Sequence, residues 1–528
     1  MFRSYFAKFF MFTVFTALFL SACSTVSDDG ATDDGGDDAV QQTADEGGDK
    51  TLTIAIGSDI VTFDIHDHQN VSTEAVHINM FNYLFKKDEN MEPQPELVED
   101  YEVIDDSTWE MTLKEGITFH NGDPLTSEDV KYTLERVAQD STLSDHSSYN
   151  QIKEVEIIDD LTFNIVTHEP EPSLLSKISR TGSGILPKDY IEEHGWDHFL
   201  QEPIGTGPYE FVEWVRDDRI VFEPYADYFE GEVEEWDEVV FRVIPENSTR
   251  VSELLTGGVD IAVHIPPSDW ERVNENEGTS LVNSQSNRAL MLFPRHTEGY
   301  PTADPKVREA IDLAIDNEAI TELVLQGGGT PTRTPILPGT FGSLDDYYDT
   351  YLYDVERAKE LLAEAGYADG LELTLHSPSG RYLQDREVAE TVAGMLEEID
   401  ITVELDILEW SNFVDMRNAN ENEDLYLIGL SNSTFDADLY ASNFYHSASQ
   451  EGHSDYKNEE VDRLIEVAAS NMDPDERLEQ YHKVVDMTVE DLAQILLHVE
   501  SGNYGVADDI DFSPRVDEML YAPSISRK

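Results

Sequence analysis

Two hydrophobic periods alternate along this chain, and each change of period marks an element boundary. Residues 51–56 alternate apolar and polar side chains and predict a strand, followed by an irregular stretch over 57–70 and a helix over 74–84. Strands are expected at 99–103 and 108–113, and 114–125 reads as a strand running into the turn at Asn121-Gly122-Asp123-Pro124. Ser127-Glu128-Asp129 opens a helix with acids in its first turn, continuing through Val130 to Val137. Strands follow at 155–158 and 161–167. In Gly205-Thr206-Gly207-Pro208-Tyr209 the glycines turn the chain where a Cβ would clash, and the alternation after Tyr209 is a strand leaving that turn.

The second half continues the mixture. Strands are expected at 219–223, 237–245 and 258–262, with a short helix at 249–257. Helical spacing occupies 304–316, where Pro305 sits near the first turn, and 353–367, which Gly366 ends. Strand 371–376, helix 388–399 and strand 401–408 form a βαβ unit, which implies a parallel pair. A buried strand over 425–430, helices at 461–469 and 474–489, and strands at 494–499 and 504–506 complete an α/β pattern.

Length and charge narrow the class. At 528 residues the chain exceeds one ordinary core and implies two to four domains. It carries 34 basic and 110 acidic residues, a net charge of −76. The acids are spread through segments that also have regular apolar patterns, so the expectation is a folded protein with an acidic surface, suited to a salty medium that screens its self-repulsion. No basic stripe exists for phosphate, which excludes nucleic acid as a partner.

Residues 1–22 place Arg3 and Lys8 before a short apolar run and read as an export signal. Its ending, Leu20-Ser21-Ala22-Cys23, is similar to the bacterial lipobox, so Cys23, the only cysteine, is the expected lipid attachment site. Residues 23–50, rich in Asp, Gly, Ser and Thr, then form a flexible acidic tether.

Several strings together resemble one family. Gly205-Thr206-Gly207-Pro208-Tyr209, the run from Pro95-Glu96-Leu97 through Phe119-His120-Asn121-Gly122 to Asp129-Val130, the strand Val239-Val240-Phe241-Arg242-Val243-Ile244-Pro245 and the helix around Val307-Arg308-Glu309-Ala310 are similar to the oligopeptide, dipeptide and nickel class of ABC-transporter solute-binding proteins. The resemblance implies a two-lobed α/β fold of the type II, cluster C periplasmic-binding-protein kind. Lobe I would comprise 51–85, 203–295 and 495–528, with an inserted subdomain over 86–202 and lobe II over 296–494. It further implies a monomer, lipid-anchored outside the cytoplasmic membrane, that hands a peptide or similar small polar solute to an ABC permease. An exported hydrolase and a receptor that signals without transport are the competing readings.

Enzyme motifs are missing. No Gly-x-Ser-x-Gly elbow occurs, Gly327-Gly328-Gly329 is not followed by Lys-Ser/Thr, and there is no His-Glu-x-x-His. His66-Asp67-His68 lacks third and fourth ligand partners and reads as a solvated loop; His120 reads as a structural residue of its turn. Neither a metal nor a cofactor is expected.

Binding residues are expected in loops at the carboxyl ends of strands. Arg381 suits a ligand carboxylate, or equally a surface acid; Tyr382 would stack beside the ligand, and Trp410 joins them as a candidate wall. The loop after 425–430 supplies Ser433, Asp436 and Asp438. In peptide-binding relatives this loop begins Gly-Trp and carries an aspartate for the peptide's amino group; Leu430 and Ser433 stand at those places here, leaving Asp436 and Asp438 as the nearby carboxylates. The family's Asn after the strand resembling Leu290-Met291-Leu292-Phe293 is likewise Pro294. A small zwitterionic or anionic solute fits these groups better than a free nickel ion, and a metal held by a small organic chelator is the alternative.

Overall fold

A computed structural model describes residues 50–449 and 454–528. The expected export signal 1–22, Cys23 and the tether up to residue 49 lie outside the described residues. Among those described, one sheet of eleven strands organises the chain, and two of its strands are long enough to serve both halves. Strand Thr279–Pro294 pairs antiparallel with strand Ile495–Ala507, from Thr279↔Ala507 to Gln285↔Ser501 and again from Ala289↔Val499 to Leu292↔Ile495. The register shifts between Gln285 and Ala289, and shifts again between Leu290 and Met291.

Each side of that shift carries its own sheet extension and core. On one side Ile261–Ala262, Thr51–Ile56, Glu238–Val243, Arg219–Pro224 and Tyr209–Val215 follow in order, around a core that includes Ile54, Phe63, Tyr209, Trp236 and Tyr504. On the other, Leu425–Ser431, Leu371–Pro378 and Ile401–Leu408 extend the sheet over Leu290, Ile311, Leu373, Val392 and Leu497. The strands Leu371–Pro378 and Ile401–Leu408 run parallel in unbroken register, as a βαβ unit must. A third core, from Leu84 to Ile185, sits under a separate four-stranded sheet. Leu186, Ile191 and Phe199, within the span expected for the insertion, pack into the first core.

The abundance of acids serves helix starts. Asp304, Asp354 and Asp473 each accept a backbone N–H of the first turn, satisfying donors that have no intrahelical partner.

Several expectations differ from the structure. The strands expected at 494–499 and 504–506 are one strand, Ile495–Ala507. The helix expected over 74–84 is Val71–His77, begun by the Asn70 cap. It stops because the chain must next offer carbonyls to the glycine turn: Gly207 N donates to Met80 O at 2.8 Å and Tyr209 N to Asn79 O at 3.0 Å. The strand expected over 114–125 is a series of turns with one bridge, Thr118↔Pro124. His66 and His68 are buried rather than solvated, because the inserted segment covers them; His66 Nε2 lies 3.0 Å from Gly182 O.

His120 holds the glycine turn from the other side. Its Nε2–H donates to Gly207 O at 3.0 Å and its Nδ1 accepts from Gly205 N at 3.2 Å, which requires the neutral ring. Burial pushes its pKa down to about 4 and keeps it neutral.

A Cβ on Gly205 would lie 2.2 Å from Met80 O. Gly205→Ala is therefore expected to destabilise the protein by about 3 kcal/mol, while Gly394→Ala, in a helix with open space around it, should stabilise it by about 0.5–1 kcal/mol. Thermal melting of both variants checks the pair, and equal midpoints would show that the turn tolerates a Cβ.

Candidate functional site

Between the two lobes lie two chambers of ≈ 210 and ≈ 180 Å³ that share Val71, Glu74, Ser431 and Ser433 as walls. The first lobe contributes the helix Val71–His77 and the segment around Arg515, Asp517, Met519 and Tyr521, and the span expected for the insertion adds Lys86 and Lys87 of the short strand Phe85–Lys87, Ser179 and Arg180. The second contributes the loop after Leu425–Ser431, which strand pairing with Arg288 to Pro294 fixes beside the register shift. Asn432 shapes that loop: its Oδ1 accepts from Thr434 Oγ1 at 2.8 Å and its Nδ2 donates to Asp436 O at 2.8 Å. Phe435 then takes a left-handed conformation, φ 55°, and lines the first chamber.

The expected site residues fall into two groups. Arg381, Tyr382 and Trp410 do come together: the Arg381 guanidinium sits 5.3 Å from the Tyr382 ring and 5.2 Å from the Trp410 ring. Tyr382 is buried in the second core with its hydroxyl donating to Gly429 O at 3.1 Å, and none of the three is a wall of either chamber. Ser433 lines both chambers.

The two aspartates are engaged inside the protein instead of facing a solute amine. Asp436 caps helix Ala437–Phe444 and receives the Arg477 guanidinium in a fork at 2.6 and 2.7 Å, with 3% of its surface exposed. Asp438 accepts from Tyr481 Oη at 2.9 Å and, across the gap, from Ser173 Oγ at 3.4 Å, and forms an ion pair with Lys177 Nζ at 3.5 Å. Lys177 is also paired with Glu171 at 2.9 Å. Burial works against its ammonium, but Asp438 and Glu171 outweigh that and raise its pKa. This buried cluster joins the inserted subdomain to the second lobe, so it exists only while the gap is closed.

Sequence reasoning missed Lys87, Glu74, Phe435 and Tyr521, which line the first chamber. One signal was available. Lys86-Lys87 is the only pair of consecutive lysines in a strongly acidic chain, and it directly follows the apolar Tyr83-Leu84-Phe85. The cations here differ in partners. Lys86 reaches Glu230 at 3.4 Å, Arg515 forks onto Asp517 at 2.6 and 2.9 Å, and Arg180 donates to both oxygens of Asp145 at 2.8 and 2.9 Å. Lys87 has no carboxylate within 4 Å among the described residues; its ammonium donates to Ser179 O at 3.2 Å.

Comparison with known proteins agrees with this arrangement. The family described as bacterial extracellular solute-binding proteins, family 5 Middle, matches residues 92–452. The glutathione-binding protein GsiB of Salmonella typhi is 28% identical over 461 residues, spanning 85% of this chain and 89% of its own. The solved structure of AgaA from A. tumefacien R10 in complex with agropinic acid superposes with a TM-score of 0.75 at 26% identity, covering 90% of this chain and 99% of that one. NikZ of Campylobacter jejuni, solved with Ni(L-His), shares the fold with a TM-score of 0.78 at 22% identity, over 91% and 100% of the two chains. The two-lobed α/β arrangement is thus the type II periplasmic-binding fold.

The Lys177–Asp438 contact generates a test of closure. Lys177→Met and Asp438→Asn should each shift the balance of closed to open molecules by roughly five- to thirtyfold, or about 1–2 kcal/mol, seen as a larger radius of gyration in small-angle scattering. Radii equal to that of the parent protein would mean that the contact contributes nothing to closure.

Proposed function

The chain belongs to the bacterial extracellular solute-binding proteins of family 5, and on that footing we propose that it captures a small, polar, peptide-like solute by lobe closure and delivers it to an ABC permease. The observation that carries this reading is the pair of chambers with shared walls between lobes through which the two long paired strands run. Ligand sites of about 300–1,000 Å³ are usual, and the two chambers together fall at the lower end of that range. That size suits a di- or tripeptide or a compound of similar bulk, such as the glutathione bound by GsiB, and is too small for the nonapeptide bound by AppA of Bacillus subtilis. The family consists of solute-binding proteins rather than enzymes.

Titration calorimetry with glutathione, the dipeptide Met-Leu and a nonapeptide tests the size class. One of the two small compounds should bind with a micromolar or tighter Kd and the nonapeptide should not. Binding of the nonapeptide alone would overturn the size argument.

We further propose that Cys23 is lipidated and tethers the folded part to the outer face of the membrane, and that the acidic surface is an adaptation to salt. Cys23→Ala should release the protein from the membrane fraction. The melting temperature should climb as salt shortens the screening length from about 30 Å at 0.01 M to about 3 Å at 1 M. An unchanged distribution, or a flat melting curve, would contradict the corresponding proposal.

A further inference from the structure

The geometry points to Lys87 as the group that receives a carboxylate of the captured solute in the first chamber, an assignment that rests on the solute-capture reading above. The strand Phe85–Lys87 alternates, so Lys86 stays partly exposed at the chamber edge and reaches Glu230, while Lys87 turns inward, where only 8% of it is exposed. A lysine ammonium has three donors, and Ser179 O uses one. Across the chamber the Phe435 ring of the second lobe stands 5.7 Å from Nζ, so closure brings an aromatic face over the cation.

Leaving a buried ammonium without a carboxylate is costly, and this chain has 110 acidic residues from which a partner could have been drawn. The other cations along the chambers have one: Glu230 for Lys86, Asp517 for Arg515, Asp145 for Arg180. Burial pushes the Lys87 ammonium down to about 8. Glu74 from the helix Val71–His77 and Asp517 from the carboxyl-terminal segment pull it up from beyond ion-pair distance, while Arg180 and Arg515 push it further down. A solute carboxylate beside Nζ would fill the two remaining donor positions and relieve this repulsion. A singly charged carboxylate matches a single unpaired ammonium; a phosphate dianion would leave charge uncompensated in the chamber.

The test uses the exported protein, Lys87→Met, which keeps the bulk, and Lys87→Arg, which keeps the charge. Each is equilibrated with the low-molecular-weight fraction of its own cells and, separately, with glutathione, and the retained solutes are identified and quantified by mass spectrometry. The parent protein should retain carboxylate-bearing solutes, Lys87→Met should bind them about ten- to a hundredfold more weakly, and Lys87→Arg should largely recover binding. Affinity should be level below about pH 8 and fall by up to tenfold per pH unit above it, because only the protonated amine attracts an anion. Without solute, Lys87→Met should melt at or above the parent protein, as removal of an unpaired buried charge implies; a large fall would make Lys87 a structural residue and overturn the assignment. Retention by Lys87→Met equal to the parent's, retained solutes without a carboxylate, or their displacement by inorganic phosphate would also overturn it while leaving solute capture intact. A parent protein that retains nothing from either source would overturn both.

Discussion

The register shift between Gln285 and Ala289 is the constraint from which the rest of the molecule follows. A regular antiparallel ladder through both lobes would weld them into one rigid sheet, whereas a break uncouples the twist of the two halves. Side chains occupy the break: Ser286 Oγ donates to Glu500 O at 2.9 Å, Asn287 Nδ2 donates to Asn432 O at 3.0 Å, and Arg288 lies between Glu500 at 3.6 Å and Glu518 at 3.9 Å. Asn287 also lines the first chamber. Pivot and cavity are therefore built from the same few residues, which is how a small change in ladder geometry becomes opening or closing of the gap.

The distribution of charge around that pivot has a consistent logic. Acids cap helix starts, cage guanidinium groups such as Arg180 and Arg477, and cross the gap at Asp438. A chain so rich in carboxylates would repel an anionic solute at long range. Salt screens that distant field within a few ångströms to tens of ångströms, but leaves short-range contacts inside a dry chamber largely intact. An acidic exterior and an anion-accepting interior are compatible for that reason.

Much of the fold was legible because local pattern and global packing agree. The strand Thr51–Ile56, the parallel βαβ unit and the capped helices appear where the periodicity placed them. The helix after Asn70 was misjudged in extent because its end is dictated by the glycine turn more than a hundred residues later. The binding residues were harder for the same reason. Asp436 and Asp438 look available in their loop, yet their partners are Arg477, 41 positions away, and Lys177 in another subdomain. Conversely, Lys87 reads as a surface lysine until Ser179, Phe435 and Asp517, all distant in sequence, are found around it. Element type is a local property; the partnering of a charge is not.

Amide hydrogen exchange, followed with and without a retained solute, tests most directly whether the solute is held between the lobes. Capture there should slow exchange together in residues 71–78, 431–444 and 515–521, which face one another across the chambers, and leave the four-stranded sheet of the inserted subdomain unchanged. Slowing confined to one lobe or to that outlying sheet, with solute demonstrably bound, would contradict capture by closure.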